Sequence, residues 1–377
     1  MEFDLTTFEK ELAFLVNIDS GSLCPSGVNQ VADWFAARIS AMGWPVEYVQ
    51  ADPQHYGKSV YTWFGDPNAL DLLILSHTDT VFPEGTAKAR PFASKDGLFT
   101  GPGVADMKAG CLMTLHALEQ LHKSGRLKGS VGFFLNGEHE LSCPTTRPFI
   151  EEKSQLAKVV VSTEPARIDG SCVRQRKGIL RYTMRFHGRS AHSGVDPQNG
   201  ACAITELARK ILALRQMDDF ERGINVNPGV VKGGVSVNAI PASAECQIDV
   251  RVIQMEDAHR IDERIHKLVE TSVDPSIRIE LEGGITRPPL VPTVRGDVVI
   301  EGINKIARGY GLDLKWSFSG GGSDASFASA FGIPALCGLG PVGGHYHTEK
   351  EFLQTVDLRE RLSIFRDMVE AICNGSI

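Results

Sequence analysis

The sequence predicts an α/β protein, a doubly wound domain interrupted by an inserted ferredoxin-like domain of β-α-β-β-α-β order. Three observations carry that expectation. Apolar runs of strand length at 71–76, 130–135 and 158–162 alternate with segments of helical period, the pattern of a parallel sheet buried on both faces. Residues 179–187 instead set Leu180, Tyr182, Met184 and Phe186 against Arg181, Thr183, Arg185 and His187, as a strand with one solvated face does. A length of 377 residues suits two or three domains.

Taken in order, helical periodicity comes first. It covers 6–18, through Phe8, Leu12, Leu15 and Val16, and 28–42, through Val31, Phe35, Ile39 and Met42. Gly43-Trp44-Pro45 stops the second helix. Strands follow at 46–50, 59–64 and 71–76, then a helix at 108–123 and strands at 130–135 and 158–162. The inserted unit follows, with strands at 179–187, 224–235, 244–253 and 276–282 and helices at 200–217 and 256–272. Gly283-Gly284 and Pro288-Pro289 mark its exit. A helix at 296–310, a strand at 335–339 and a helix at 357–373 complete the large domain. The expected division is 1–177, 178–287 and 288–377, the outer segments forming one domain.

Composition narrows the partners. A net charge of −7 provides no basic footprint for nucleic acid, and no apolar run is long enough to cross a bilayer. The acidic start, with Glu2, Asp4, Glu9 and Glu11, has no signal-peptide pattern. The eight cysteines are scattered without a Cys-x-x-Cys pair, so a reduced, cytoplasmic protein is expected.

The chemistry gathers where the buried strands end. Leu72-Leu73-Ile74-Leu75 runs into His77 and Asp79, and a Gly/Pro turn at 101–103 precedes Asp106. The strand at 130–135 leads to Glu138-His139-Glu140, and the strand at 158–162 leads to Glu164. Glutamates after strands also cap helices. Imidazole and carboxylates delivered to one sheet edge are nevertheless the donor set of a divalent metal site. The turn Ser319-Gly320-Gly321-Gly322-Ser323-Asp324 lacks the lysine of a phosphate loop.

Those phrases, with Ser190–Gly194, Val235–Ala242 and Tyr346–Glu351, resemble the co-catalytic di-zinc peptidase family. That family includes glutamate carboxypeptidase, acetylornithine deacetylase, succinyl-diaminopimelate desuccinylase and aminoacylase-1, and the chain is most similar to its glutamate carboxypeptidase branch. The resemblance implies two divalent ions, zinc by default with manganese or cobalt acceptable. It makes His77, Asp106, Glu140, Glu164 and His347 the metal ligands, with Asp106 bridging, Asp79 orienting His77, and a cis peptide at Asp106–Met107. It further implies that His192 reaches the reacting carbonyl. Asn238, Arg251 and the Gly321–Gly322 backbone would hold the free carboxylate of a small-molecule substrate. The inserted domain would form a homodimer. The implied reaction is hydrolysis of an amide or peptide bond next to a carboxylate-bearing amino acid.

One position departs from the family pattern, in which Asp-Glu-Glu supplies a glutamate base and then a metal ligand. Here Glu138-His139-Glu140 places His139 at the base. Three outcomes stay open: His139 works as the base, Glu138 or a shifted loop replaces it, or the protein binds a carboxylate or amide ligand without turning it over.

Overall fold

The structure, a computed structural model, describes residues 3–377. The described residues divide into two compact units, one of residues 3–175, 292–319 and 323–377, the other of residues 176–291 and 320–322.

The first unit is built on a six-stranded mixed sheet in the order Val46–Val49, Ser59–Phe64, Val131–Asn136, Leu70–His77, Ala157–Ser162, Ala335–Leu336. The last four strands run parallel, and the first two add antiparallel to one edge. Val131–Asn136 is buried at every position and Leu70–His77 at all but Asp71, which is why both appear as unbroken apolar runs rather than alternations.

Helices cover the sheet. In Leu5–Val16, Asp4 accepts a hydrogen bond from Thr6 N at 3.0 Å, capping the first turn, and Phe8, Leu12, Leu15 and Val16 form the buried stripe. Pro25 opens the helix Pro25–Ala41 at the position where its missing N–H costs nothing. Ala109–Ser124 and Leu358–Cys373 contribute to the same core as Phe133, Leu135 and Val161. Ala109–Ser124 comes close to the segment after Ala157–Ser162 because residue 110 is glycine: a Cβ there would lie 2.1 Å from Thr163 O.

The second unit is a four-stranded antiparallel sheet in the order Asn225–Gly233, Ser243–Val252, Gly178–His187, Arg278–Arg287. With the helices Ala203–Arg215 and Met255–Val269 it has the β-α-β-β-α-β order and strand arrangement of a ferredoxin-like domain. Leu180, Tyr182, Met184 and Phe186 share its core with Leu207, Leu214, Ile261 and Ile265. On the alternate positions Arg185 pairs with Glu245 and Glu282, and His187 with Glu280.

Several features differ from the sequence expectations, among them an unexpected two-stranded sheet of Cys172–Arg176 and Trp316–Ser319 and a strand expected at 335–339 that forms only at Ala335–Leu336. Gly283 and Gly284 do not end the last strand of this unit, which continues to Arg287 through a register shift. Gly283 serves close backbone approach instead of a turn, since a Cβ there would lie 2.0 Å from Arg181 O. The helix Arg147–Gln155 is too short to show a clear apolar period. A small sheet of Ala93–Lys95, Leu98–Thr100, Gly343–Gly344 and Phe352–Gln354 has strands of two or three residues, below the length at which alternation is visible. The Asp106–Met107 peptide is cis, as the resemblance implied. No helix among the described residues is long and apolar enough to cross a membrane.

Candidate metal centre

Parallel pairing in register brings the carboxyl ends of three strands together. His77 stands opposite Asn136, and Leu75 opposite Ser162. His77 therefore ends one strand, Glu138–Glu140 follows the second, and Glu164 lies two residues beyond the third. Asp106 comes from the turn ahead of Ala109–Ser124, where Gly101 and Gly103 take positive φ. His347 comes from a loop in which it too has positive φ, 61°.

The backbone of this region is held by carboxylates. Asp79 is fully buried; Oδ1 accepts from His139 N at 3.1 Å, and Oδ2 accepts from Glu140 N at 3.0 Å and Ser22 Oγ at 2.7 Å. Its link to His77 runs mainly through the backbone: His77 Nδ1–H donates to Asp79 O at 3.0 Å, with Oδ1 at 3.4 Å. Glu351, also buried, accepts from the N–H groups of Gly103, Ala105 and Asp106 at 2.9–3.0 Å. These bonds fix the turn that presents the Asp106 carboxylate.

Asp106 divides its two oxygens. Oδ1 lies 3.2 Å from His77 Nε2, and Oδ2 lies 3.2 Å from His347 Nε2. His347 Nε2 is also 3.3 Å from Glu140 Oε1. On the other side Glu164 Oε1 is 3.9 Å from His77 Nε2 and 3.4 Å from His139 Nε2. The His77 and His139 rings stack with centroids 4.1 Å apart and planes 4° from parallel. His139 Nδ1 lies 2.8 Å from Asp324 Oδ1, and Asp324 Oδ2 accepts from Asn136 Nδ2 at 2.8 Å.

These residues fit divalent ions. Nitrogen and oxygen donors bound tetrahedrally at about 2.0–2.1 Å lie about 3.3 Å apart, close to most of the separations here. Because His77 gives its Nδ1–H to the Asp79 carbonyl, the neutral ring turns the Nε2 lone pair toward Asp106 and Glu164. A lone pair facing carboxylate oxygens calls for a cation between them. Buried carboxylates gathered this way also need positive charge. The same surplus of negative charge favours protonated imidazoles. Burial opposes charge on His77, yet Asp106 and Asp79 raise it well above its ordinary value. Asp106 and Glu140 raise His347 to about 10. Burial works against the ionised form of Asp106, but hydrogen bonds from His347 and His77 outweigh it and hold the carboxyl well below the usual range.

The neighbouring glutamate is turned elsewhere. Glu138 accepts from Thr145 N at 2.8 Å and from Thr145 Oγ1, and burial raises its carboxyl.

The second unit holds the remaining sequence-derived candidates. His192 is exposed, its Nδ1 accepts from Gly194 N at 3.1 Å, and Ser193 N donates to Asn238 O at 3.0 Å, so His192 and Asn238 lie on joined loops. Arg251 clasps Asp249 through Nε at 2.7 Å and Nη2 at 3.1 Å, and its Nη1 donates to Gly320 O at 3.1 Å. Arg176 Nη1 donates to Gly321 O at 3.2 Å and Gly322 O at 2.9 Å. Sequence reasoning missed Asp324, Glu351, Ser22 and Arg176. Asp324 and Glu351 lay within stretches already marked by the resemblance, but their partners are set by tertiary structure.

A sheet edge that gathers imidazoles and carboxylates around one divided aspartate defines a metal-dependent hydrolase. The chain belongs to peptidase family M20/M25/M40, whose description matches residues 73–371, and so to a group of metallopeptidases and amidohydrolases that includes dinuclear metal enzymes. It is 28% identical over 360 residues to carboxypeptidase G2 of Pseudomonas sp. strain RS-16, covering 94% of this chain and 86% of that protein. It is 29% identical over 238 residues to acetylornithine deacetylase of Pasteurella multocida, covering 59% of this chain and 60% of that one. Among solved structures it resembles the Bacillus subtilis YXEP protein, described as a dinuclear metal binding peptidase from the M20 family. The TM-score is 0.65 at 14% identity, over 98% of this chain and 99% of that one.

Proposed function

We propose that this protein hydrolyses an amide or peptide bond next to a carboxylate-bearing amino acid, as an N-acyl-amino-acid deacylase or a carboxypeptidase of the glutamate type. The observation that carries the reading is the division of the Asp106 carboxylate between His77 and His347. A carboxypeptidase and a deacetylase among the relatives support the bond type.

In this reading the residues would hold two divalent ions, zinc by default, with Asp106 shared between them. Glu140 and His347 would hold one, and His77 and Glu164 the other. Such ions would supply Lewis acidity at this site. Asp79 keeps Glu140 and His139 in place through their backbone N–H groups. His139 takes the water proton at Nε2 and passes it to the leaving amine. Asp324, on Nδ1, holds the ring in the required tautomer. The engagement of Glu138 by Thr145 supports His139 over Glu138 in this role.

The resemblance gives His192 the role of donor to the developing oxyanion. Its Nδ1 accepts from Gly194 N, which leaves the proton on Nε2 for that purpose. Asn238, Arg251 and the Gly321–Gly322 backbone hold the substrate carboxylate, and the second unit forms a homodimer; these parts rest on the resemblance. Because Arg251 is already paired with Asp249, the substrate shares that guanidinium instead of finding it unpaired.

A second reading, a family member that binds such ligands without turnover, is favoured by His139 standing where a glutamate base belongs. Amine release from N-acyl amino acids and dipeptides by zinc-loaded protein separates the two. Turnover supports the hydrolase, and saturable binding without turnover supports the second reading.

A further inference from the structure

Beside the metal centre, the first unit contains a cavity of about 430 Å³ lined by residues 21–24, 80–84, Glu140 and Leu141. Its volume is within the range of small-molecule sites, about 300–1,000 Å³. Glu140 belongs to the proposed metal set, so the cavity adjoins the reacting centre. Leu23, Val81 and Leu141 are 76%, 42% and 37% exposed, large apolar side chains left open to solvent at one place.

The walls are built before any ligand arrives. Ser22 N donates to Thr80 O at 3.0 Å, and Thr80 N donates to Ser20 O at 2.9 Å, tying one wall to the other. Asp19 accepts from Gly85 N at 2.8 Å and Ala87 N at 2.7 Å, anchoring the far end of the Thr80–Glu84 loop. Gly21 permits the close approach, because a Cβ there would lie 2.2 Å from Phe82 O. Ser22 Oγ also reaches Asp79, so the cavity wall and the backbone of Glu140 share one carboxylate.

Charge identifies which half of a substrate fits. The lining contains two carboxylates, Glu84 and Glu140, and no lysine or arginine. Arg90 is not part of the lining; its guanidinium lies 4.8 Å from the centroid of the Phe82 ring and its Nη1 donates to Glu349 O at 3.0 Å. Glu140 is committed to the proposed metal set, so an anionic group entering this space would meet the Glu84 carboxylate and apolar carbon, with no lysine or arginine in the lining to pair with. The carboxylate-bearing amino acid is therefore the half that is excluded.

We infer that this cavity is the acyl pocket and that it selects a neutral, apolar acyl group of several carbons against an anionic one such as succinyl. The inference rests on the hydrolase reading for the word acyl, but the selectivity belongs to the cavity itself. Transfer of each methylene into an apolar site is worth about three- to fourfold in affinity.

The test compares N-acetyl, N-butanoyl, N-hexanoyl and N-succinyl glutamate on the zinc-loaded protein, by kcat/KM and by calorimetric binding. The expected result is a rise of about three- to fourfold per methylene to hexanoyl. Succinyl, in which a carboxylate replaces the terminal methyl of butanoyl, should fall about 100-fold below butanoyl. Leu23→Lys and Leu141→Lys, both at exposed positions, should each narrow that gap about tenfold. A flat chain-length series, a succinyl compound equal to butanoyl, or lysine variants that leave the gap unchanged would overturn the inference. Ordered binding without turnover of any compound would reject hydrolysis and keep the pocket; turnover without order would do the reverse.

Discussion

His139 Nδ1 lies 2.8 Å from Asp324 Oδ1, although 185 positions separate the two residues in the chain. The same carboxylate accepts from Asn136 Nδ2 at 2.8 Å and from Cys143 Sγ at 3.1 Å. A histidine in place of a glutamate thus comes with a buried acceptor that fixes its orientation. Asp324→Asn should lower kcat about 10²–10⁴-fold with little change in KM, because the amide no longer holds the imidazole in one tautomer. Steady-state kinetics check this, with metal content measured alongside. Full activity in Asp324→Asn would remove Asp324 from the mechanism.

His139 Nε2 also lies near Glu164, at 3.4 Å, so its part in proton transfer must be separated from metal binding. His139→Ala should lose about 10²–10⁴-fold in turnover and still retain two ions per chain by elemental analysis. A variant that kept full turnover would eliminate His139 as the base, and one that lost an ion would make it a ligand.

Asp106 should show the opposite pattern. Asp106→Ala removes the only carboxylate within 3.2 Å of both His77 and His347 among the described residues. The expected result is loss of stoichiometric metal, read by elemental analysis after gel filtration, with activity gone as a consequence. Two retained ions would contradict the bridging role.

Metal binding should also set the response to pH. In metal-free protein His347 is raised from 6.5 to about 10, first by the hydrogen bond to Asp106 and then by that to Glu140. A group raised on folding contributes stability that is fully present below its unfolded pKa and is lost as pH climbs through its folded pKa. Metal-free protein should therefore lose melting temperature between about pH 6.5 and pH 10 from this group. Bound ions require the neutral imidazole, so loaded protein lacks that decline. The gap in melting temperature between loaded and chelator-treated samples should widen as pH rises. A gap that stayed constant across the range would refute the link.

Glu351 supports the centre through backbone alone. Burial raises its carboxyl to about 7, so part of its hydrogen-bonding gain offsets the cost of burying it. Glu351→Ala leaves the N–H groups of Gly103, Ala105 and Asp106 without their acceptor. Chemical denaturation should report a loss of about 2–4 kcal/mol, and Glu351→Gln, which keeps one oxygen, should lose less. Metal affinity should fall in both, since the turn carrying Asp106 is released.

Much of this architecture was legible because its signals are local. Period and burial agree where elements are long: a helix expected at 108–123 forms at Ala109–Ser124, and a strand expected at 179–187 forms at Gly178–His187. Apolar runs ending in His77, Glu140 and Glu164 marked one sheet edge because parallel strands share a carboxyl end. The pairing of Asp324 with His139, and of Glu351 with three backbone donors, left no such trace, since each depends on segments far apart in sequence. The Gly283-Gly284 pair misled for a physical reason: a glycine that suggests a turn also permits close strand approach, as Gly283 does. The small sheet containing Leu98–Thr100 and Phe352–Gln354 escaped notice because its strands are too short to alternate.

The central claim is hydrolysis that depends on ions held at Asp106, and the most direct measurement is amine release from an N-acyl glutamate as zinc is titrated into metal-free protein. The account predicts no release without metal and a rate that climbs to its maximum at two equivalents bound. Saturation with two ions and no release from any N-acyl amino acid or dipeptide, or release that chelation leaves untouched, would contradict it.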